Sequence, residues 1–273
     1  RTQFICQRCG VTSSKWAGRC DNCGAWNSFV EQVTETGGSS VVAKSSRAGK
    51  ELAAQKLSTA VSEEISVPRL KTEIDDLDAV LGGGFLAGGI VLLAGQPGIG
   101  KSTLLTQITA TIGANSEVLY VSGEESIQQI KRRAERLGAA SSDKLQLASS
   151  NSAEDIAASI RTGKYDLVVV DSVQTLSLAE ISSAPGSVSQ ITNASNVIIR
   201  AAKATDTAVI LVGHVTKEGS IAGPKVLEHL VDVVLNFEGD RYGGFRVVRA
   251  QKNRYGSTSE AAIFEMSDKG LKI

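Results

Sequence analysis

The chain has 273 residues, enough for one large domain and something small, and 42% of them are hydrophobic, enough for a substantial core. Its 29 basic and 29 acidic residues cancel, so any nucleic-acid site must be a local patch rather than a global field. Apolar runs such as Ala208 to Gly213 are far too short to span a bilayer, and no apolar signal region follows Arg1, so the chain reads as soluble and cytoplasmic.

All four cysteines lie in the first 23 residues, as Cys6-x2-Cys9, ten residues, then Cys20-x2-Cys23. Two such knuckles predict a four-thiolate zinc ribbon over residues 1–33, with Zn²⁺ held by Cys6, Cys9, Cys20 and Cys23 and no open position for catalysis. Disulfides are the competing reading, disfavoured in a cytosolic chain, and a redox pair is disfavoured by the presence of two knuckles. So small a module is expected to be held by its metal and by the rings of Phe4, Trp16, Trp26 and Phe29. Residues 34–66 turn to Ser, Gly, Ala and scattered charge, which predicts a flexible linker with a fragment of helix around Glu51–Leu57.

Residues 67–273 alternate between strand and helix patterns. Apolar β-rich runs stand at Ile90–Ala94, Val118–Val121, Leu145–Ala148, Leu167–Val170, Val209–Val212 and Val231–Phe237. Helical stretches lie between them at Ser102–Gly113, Ser126–Leu137, Ala153–Arg161 and Ser187–Ala204. Strands that are apolar throughout, alternating with helices, predict an α/β fold with a mainly parallel twisted sheet covered on both faces. Phe245–Ala250 and Ala261–Met266 read as an antiparallel hairpin at the sheet edge.

The first apolar run leads into Gly95, Gln96, Pro97, Gly98, Ile99, Gly100, Lys101, Ser102 and Thr103, a G-x-x-x-x-G-K-S phosphate loop in its required strand–turn–helix context. Backbone N–H groups can curl around phosphate oxygens only where no side chain intrudes, and the helix N-terminus adds partial positive charge. Lys101 is expected to reach the β- and γ-phosphates, and Ser102 to bind Mg²⁺. Asp171, ending Leu167–Val170 in the manner of a Walker B strand, is the expected second partner of Mg²⁺. Glu124 and Glu125 follow the strand Val118–Val121; one is expected to act as the base, Glu124 being favoured, and the other to cap the helix near Ser126. His214 follows the strand Ala208–Gly213, where it serves either as a sensor of the γ-phosphate or in a structural role. Ala179–Ser189 and Glu218–Lys225 read as loops on the same edge. Lys252-Asn253-Arg254-Tyr255-Gly256, with Arg246 and Arg249 nearby, is a basic hairpin able to bind a phosphate backbone or a neighbouring subunit's nucleotide.

Taken together, the four cysteines, the loop Gly95–Ser102 with Asp171, and the run Lys252–Gly256 resemble the RadA (Sms) family of bacterial DNA-repair and recombination proteins. The family signature has Phe where Tyr255 stands, a change that keeps the ring. Lys15–Cys20 and Val121–Ser126 are similar to the family as well. The resemblance implies a RecA-like ATPase core that uses ATP/ADP and Mg²⁺. It implies a homo-hexameric ring that moves on single-stranded DNA and promotes branch migration at branched recombination intermediates. Lys252 and Arg254 would then couple the nucleotide at a subunit interface to DNA in a channel lined by Ala179–Ser189 and Thr216–Lys225. The ribbon would be the contact for a recombinase or replication helicase. The resemblance also implies a C-terminal domain similar to the Lon protease, which would lie beyond Ile273. The alternative is a regulatory RecA-like ATPase or kinase of the clock-protein type, against which the zinc module and the Lys-Asn-Arg run argue.

Overall fold

The computed structural model describes residues 2–6, 11–13, 15–24, 26, 28–33, 53–58, 68–139, 142–215, 222–239 and 244–273. Its contacts divide the chain into two units, Arg1–Val61 and Ser62–Ile273.

In the first unit β1 (Thr2–Cys6), β2 (Thr12–Ser13) and β3 (Phe29–Val33) form an antiparallel sheet in the order β2-β1-β3. The core is Cys6, Cys20 and Phe29, with Phe4, Ala17 and Cys23 packed against them. The expectation that four aromatic rings hold this unit is corrected in part. Phe4 and Phe29 belong to the core, whereas Trp16 and Trp26 stand outside it in solvent. Residues 53–58 are coil and a turn, not the helix expected around Glu51–Leu57. The rest of the expected linker, 34–52 and 59–66, lies outside the described residues.

The second unit runs α1 (Asp75–Val80), β4 (Ile90–Gly95), α2 (Lys101–Ile112), β5 (Val118–Ser122), α3 (Ile127–Arg136), β6 (Leu145–Ser149), α4 (Ala153–Arg161) and β7 (Leu167–Asp171). It continues with α5 (Val188–Thr205), β8 (Ala208–His214), α6 (Ala222–Leu227), β9 (Val233–Gly239), β10 (Phe245–Asn253), β11 (Ala261–Ser267) and β12 (Gly270–Lys272). One sheet takes all nine strands in the order β12-β11-β10-β9-β4-β8-β7-β5-β6. The strands from β9 to β6 in that order are parallel, and β10, β11 and β12 add to the edge antiparallel.

The pleat explains why these strands are apolar throughout. Val91 and Leu93 of β4 join Leu104, Leu105 and Ile108 of α2 and Ile130 of α3 in one core. Ile90 and Leu92 join Ile156 and Ile160 of α4 and Ile191 and Ile198 of α5 in the other. Along β4 each side chain alternates to a helix-covered face, so none of the positions Ile90–Ala94 is free to be polar. Truncating one such residue, as in Leu92→Ala, costs about 2–5 kcal/mol.

Helix ends follow local chemistry. Ser126 caps α3 by accepting from the Gln129 N–H, while the Gln129 side chain accepts from the Ser126 N–H. The expected glutamate cap is therefore a serine. Residues 216–221 of the second expected loop lie outside the described residues, and Ala222–Lys225 are helical rather than loop. The first loop is tied down: buried Gln190 accepts from the Leu178 N–H at 3.0 Å and donates to Ser183 O at 2.9 Å.

From β4 the chain crosses to β5 on one side and later to β9 on the other, so the strand order reverses around β4. In open parallel sheets a ligand crevice forms at such a reversal, outside the C-terminal strand ends.

Candidate functional site

β4 delivers Gly95 to that crevice, and two glycines explain the loop that follows. A Cβ on Gly95 would stand 2.6 Å from the Phe237 carbonyl oxygen, so no larger residue fits between β4 and β9. Gly100 caps α2 with φ +113°, a conformation that L side chains rarely adopt. Lys101 and Ser102 thereby enter the first turn of α2. Lys101 is 3% exposed, and its ammonium donates to the Gly95 and Gln96 carbonyls, each at 2.8 Å. Burial pushes its pKa down to about 8, against the pull of Asp171 and Glu124.

Register brings distant residues to the same edge. Gly95 lies opposite His214 across β4 and β8, and Ser122 opposite Asp171 across β5 and β7. The Ser102 hydroxyl donates to Asp171 Oδ2 at 2.7 Å. The Tyr120 hydroxyl donates to that same oxygen, also at 2.7 Å. Tyr120 is fully buried, and its phenol is held well above the ordinary range by burial and the Asp171 charge. One carboxylate oxygen thus has two fixed donors, which aims it toward the helix N-terminus.

The two glutamates after β5 separate. Arg133 of α3 grips Glu125 with both terminal nitrogens, at 2.6 and 2.7 Å, while its Nε donates to Thr106 at 3.0 Å. Glu124 instead accepts from the Ser172 hydroxyl at 3.2 Å and lies 3.6 Å from His214 Nε2. His214 is held below its usual pKa, first by burial and then by the Lys101 ammonium, so it is neutral at pH 7. Its backbone is fixed by Gln174, which donates to the His214 carbonyl at 3.1 Å and accepts from its N–H at 3.3 Å. A cleft of about 610 Å³, lined by Gln96, Ile99, Phe237 and Arg246 among others, opens on the β9 side of the loop.

Lys252 and Arg254 are elsewhere. Lys252 and Asn253 end β10 beside Val234 and Val233, with Arg254 just past the strand, and Val233 pairs with Val91 near the start of β4, so both cations lie at the sheet end opposite the phosphate loop. Lys252 Nζ donates to Glu228 O at 2.7 Å and Val231 O at 2.8 Å. Arg254 pairs at 3.0 Å with Asp232, which also pairs with Lys203 at 2.6 Å and accepts from the Ile90 N–H at 2.9 Å. Burial pushes the Asp232 carboxyl up, but the Lys203 ammonium and the Ile90 N–H outweigh it, so its pKa lies below the usual range. The grouping of Arg246 with this cluster is corrected. Its Nε donates to Ile99 O at 3.0 Å, within the phosphate loop.

Sequence reasoning missed Tyr120, Arg133, Ser172 and Gln174. A signal existed for Tyr120 alone: a hydroxyl-bearing ring inside an aliphatic strand must find a partner when buried.

In the first unit the sulfurs of Cys6, Cys20 and Cys23 lie within 4.8 Å of one another, and Cys9 lies outside the described residues. Cys6 Sγ and Cys23 Sγ are 3.7 Å apart, with the Ser28 hydroxyl 3.2 Å from Cys6 Sγ. A disulfide needs about 2.05 Å. The edge of a tetrahedron of thiolates with bonds of ~2.3 Å is roughly 3.8 Å, so the set fits a tetrahedral metal.

A family profile described as an AAA domain matches residues 54–220, and one described as a rubredoxin metal binding domain matches residues 4–31. The chain is 48% identical to the DNA repair protein RadA of Brucella abortus (strain 2308), over 100% of this chain and 59% of that protein. It is 48% identical to DNA repair protein RadA of Bacillus subtilis (strain 168), over 99% of this chain and 59% of that one. For DNA repair protein RadA of Pseudomonas aeruginosa the identity is 46%, over 100% and 59%. The chain thus spans about three fifths of the length of these relatives. A crystal structure of the RadB recombinase matches with a TM-score of 0.55 at 24% identity, covering 74% of this chain and 98% of that one. The fold of the second unit is RecA-like, and the first unit is a ribbon of the rubredoxin type.

Proposed function

The chain belongs to the AAA domain family and is similar along its whole length to the DNA repair protein RadA, and from that premise we propose a DNA-dependent ATPase of recombination and repair. In this reading it forms a homo-hexameric ring in the cytoplasm, moves on single-stranded DNA and promotes branch migration of recombination intermediates. The observation that carries the ATPase reading is the convergence of Ser102 and Tyr120 on one oxygen of Asp171, beside Lys101, Glu124 and His214.

Gly95–Ser102, with Thr103 behind it, holds the triphosphate through backbone N–H groups and the Lys101 ammonium. Ser102 and Asp171 are the residues that would hold Mg²⁺. When bound, that ion would supply positive charge against the negative charge that builds on the phosphates. Glu124 is the base, accepting the proton of the attacking water as its oxygen bonds to the γ-phosphorus and the bond to ADP breaks. The competing Glu125 is neutralised by its two bonds to Arg133. Neutral His214 orients Glu124 and responds to the γ-phosphate. Lys252 and Arg254, remote from their own loop, act at the nucleotide of the adjacent protomer, which makes turnover depend on the ring. Zn²⁺ in the ribbon, held by Cys6, Cys9, Cys20 and Cys23, supplies stability rather than chemistry.

ATP turnover measured with and without single-stranded DNA, in low and moderate salt, tests this function. DNA stimulation that weakens with salt is the expected outcome. ATP binding with no DNA binding and no stimulation would remove the motor reading from this chain, and autophosphorylation in its place would support the clock-type regulator. Glu124→Gln is expected to keep ATP bound and slow hydrolysis about 10²–10⁴-fold.

A further inference from the structure

The chain has two tryptophans, and the fold leaves both in water. Trp16 is 57% exposed and Trp26 72% exposed, although they are the largest apolar side chains of a unit with a very small core. A unit that uses Cys6, Cys20, Phe4 and Phe29 inside has no surplus of apolar groups. Two exposed indoles on so small a unit leave faces on which a flat group can stack.

The surroundings say what chemistry that is. Arg19 pairs with Trp26 as an antiparallel bridge, and its guanidinium carbon lies 5.7 Å from the indole centroid. Arg19 Nε also reaches the Gly24 carbonyl at 3.4 Å, which holds the cation over the ring. The Trp16 ring lies over Gly18, where a Cβ would meet the indole edge in ordinary contact at 3.8 Å. Lys15, exposed, precedes it. Followed through chain order and these contacts, the sequence Lys15, Trp16, Arg19, Trp26 reads cation, ring, cation, ring, with exposed Asp21 next along the chain after Cys20. A protein partner would meet a continuous apolar patch, whereas these rings are separated by a glycine and a guanidinium. Indole faces beside cations suit unpaired bases joined by phosphates, since every base has a face to stack and none needs a specific edge.

We infer that the metal-binding ribbon is a stacking platform for single-stranded DNA, with Trp16 and Trp26 each taking a base and Lys15 and Arg19 the intervening phosphates. This rests on the DNA reading above and adds to it a site in the first unit, separate from nucleotide turnover.

Because all the tryptophan fluorescence of the chain arises in the ribbon, it can be read directly on the full zinc-loaded chain. A thymidine oligonucleotide is titrated while indole fluorescence and the anisotropy of a labelled copy are followed. The expected result is saturable, salt-sensitive quenching with the same midpoint as the anisotropy change, and little quenching by blunt duplex. Trp16→Ala and Trp26→Ala should each weaken binding about tenfold, as befits one lost stacked base, with zinc content unchanged. Trp26→Phe should retain part of the affinity. Anisotropy that reports binding while fluorescence stays flat and both alanine variants bind normally would overturn the platform and leave the DNA reading intact. Equal quenching by duplex would overturn it as well. No binding by anisotropy at all would remove the DNA reading for this chain and the platform with it.

Discussion

Lys101 and Lys252 stand at opposite ends of the central sheet, and each ammonium donates to two backbone carbonyls. Lys101 is held by Gly95 O and Gln96 O, both at 2.8 Å, and Lys252 by Glu228 O and Val231 O at 2.7 and 2.8 Å. The partners differ in what replaces them. The carbonyls beneath Lys101 belong to the phosphate loop, whose geometry is fixed by glycines and not by the lysine, so an anion can take the ammonium over without loosening the fold. The carbonyls beneath Lys252 belong to the turn leading into β9, beside Asp232, which ties Arg254, Lys203 and the first N–H of β4 together. Lys101 can thus leave its carbonyls for an anion, whereas Lys252 keeps both of its carbonyls and has one N–H left for the neighbouring protomer's nucleotide in the function proposed above.

Substitutions can break that contrast. The largest effect is expected for Lys101→Ala, which removes charge-assisted contacts to phosphate. Turnover should fall about 10²–10³-fold, and ATP binding measured by calorimetry should weaken about 10- to 150-fold, while urea unfolding of the free protein stays near the parent's. A large loss of stability instead would mean that the loop carbonyls need the Lys101 ammonium to stay folded. Asp232→Ala should be the most destabilising change at the other end, because it strands two cations and the Ile90 N–H. Breaking a buried pair costs about 3–5 kcal/mol, and the lower end applies here because Lys203 and Arg254 are half in water. Urea unfolding gives the value, and ATP affinity measured on the same variant shows whether the disturbance travels along β4 to the loop.

Lys252→Ala should cost about 1–3 kcal/mol as two carbonyls lose their donor, with ATP affinity of the isolated chain unchanged. Loss of ATP binding in that variant would contradict the placement of Lys252 away from its own phosphate loop. A more gradual effect is on pH dependence. With Lys101 near 8 in the folded protein and 10.5 in the unfolded chain, the unfolded state carries more protons between those values. Stability of the nucleotide-free protein should therefore rise from pH 8 toward 10.5 as the buried charge is relieved. Phosphate restores the proton, so ATP binding should take up protons near pH 8–9 and weaken as pH rises. Calorimetry in buffers of different ionisation enthalpy reads this directly, and Lys101→Met should abolish it.

Much of this was legible in the residues alone, because it is encoded over short spans. The alternation of strands and helices, the Gly95–Ser102 loop, Asp171 at a strand end and the cysteine knuckles all depend on spacing within a few residues of one another. The described part of the helix expected at Glu51–Leu57, residues 53–57, is exposed coil and turn, because propensity by itself does not hold so short a helix without packing.

What only tertiary structure decided depends on strand order and register. The sequence cannot say that β5 lies beside β7, and hence that the Tyr120 hydroxyl meets Asp171 from across the sheet. Nor can it say which of two adjacent glutamates Arg133 binds, since that follows from how α3 packs against α2 at Thr106. Arg246 and Lys252 are six residues apart, yet the rise of a strand carries one to the phosphate loop and the other to the far end of the sheet. Trp16 and Trp26 looked like core because large rings in a small module are usually buried. They lie outside it because three strands and a set of cysteine sulfurs close around Phe4 and Phe29, leaving no interior volume for two indoles. Local spacing fixed the chemistry this chain carries, and the order of strands in the sheet fixed which of its charged groups meet.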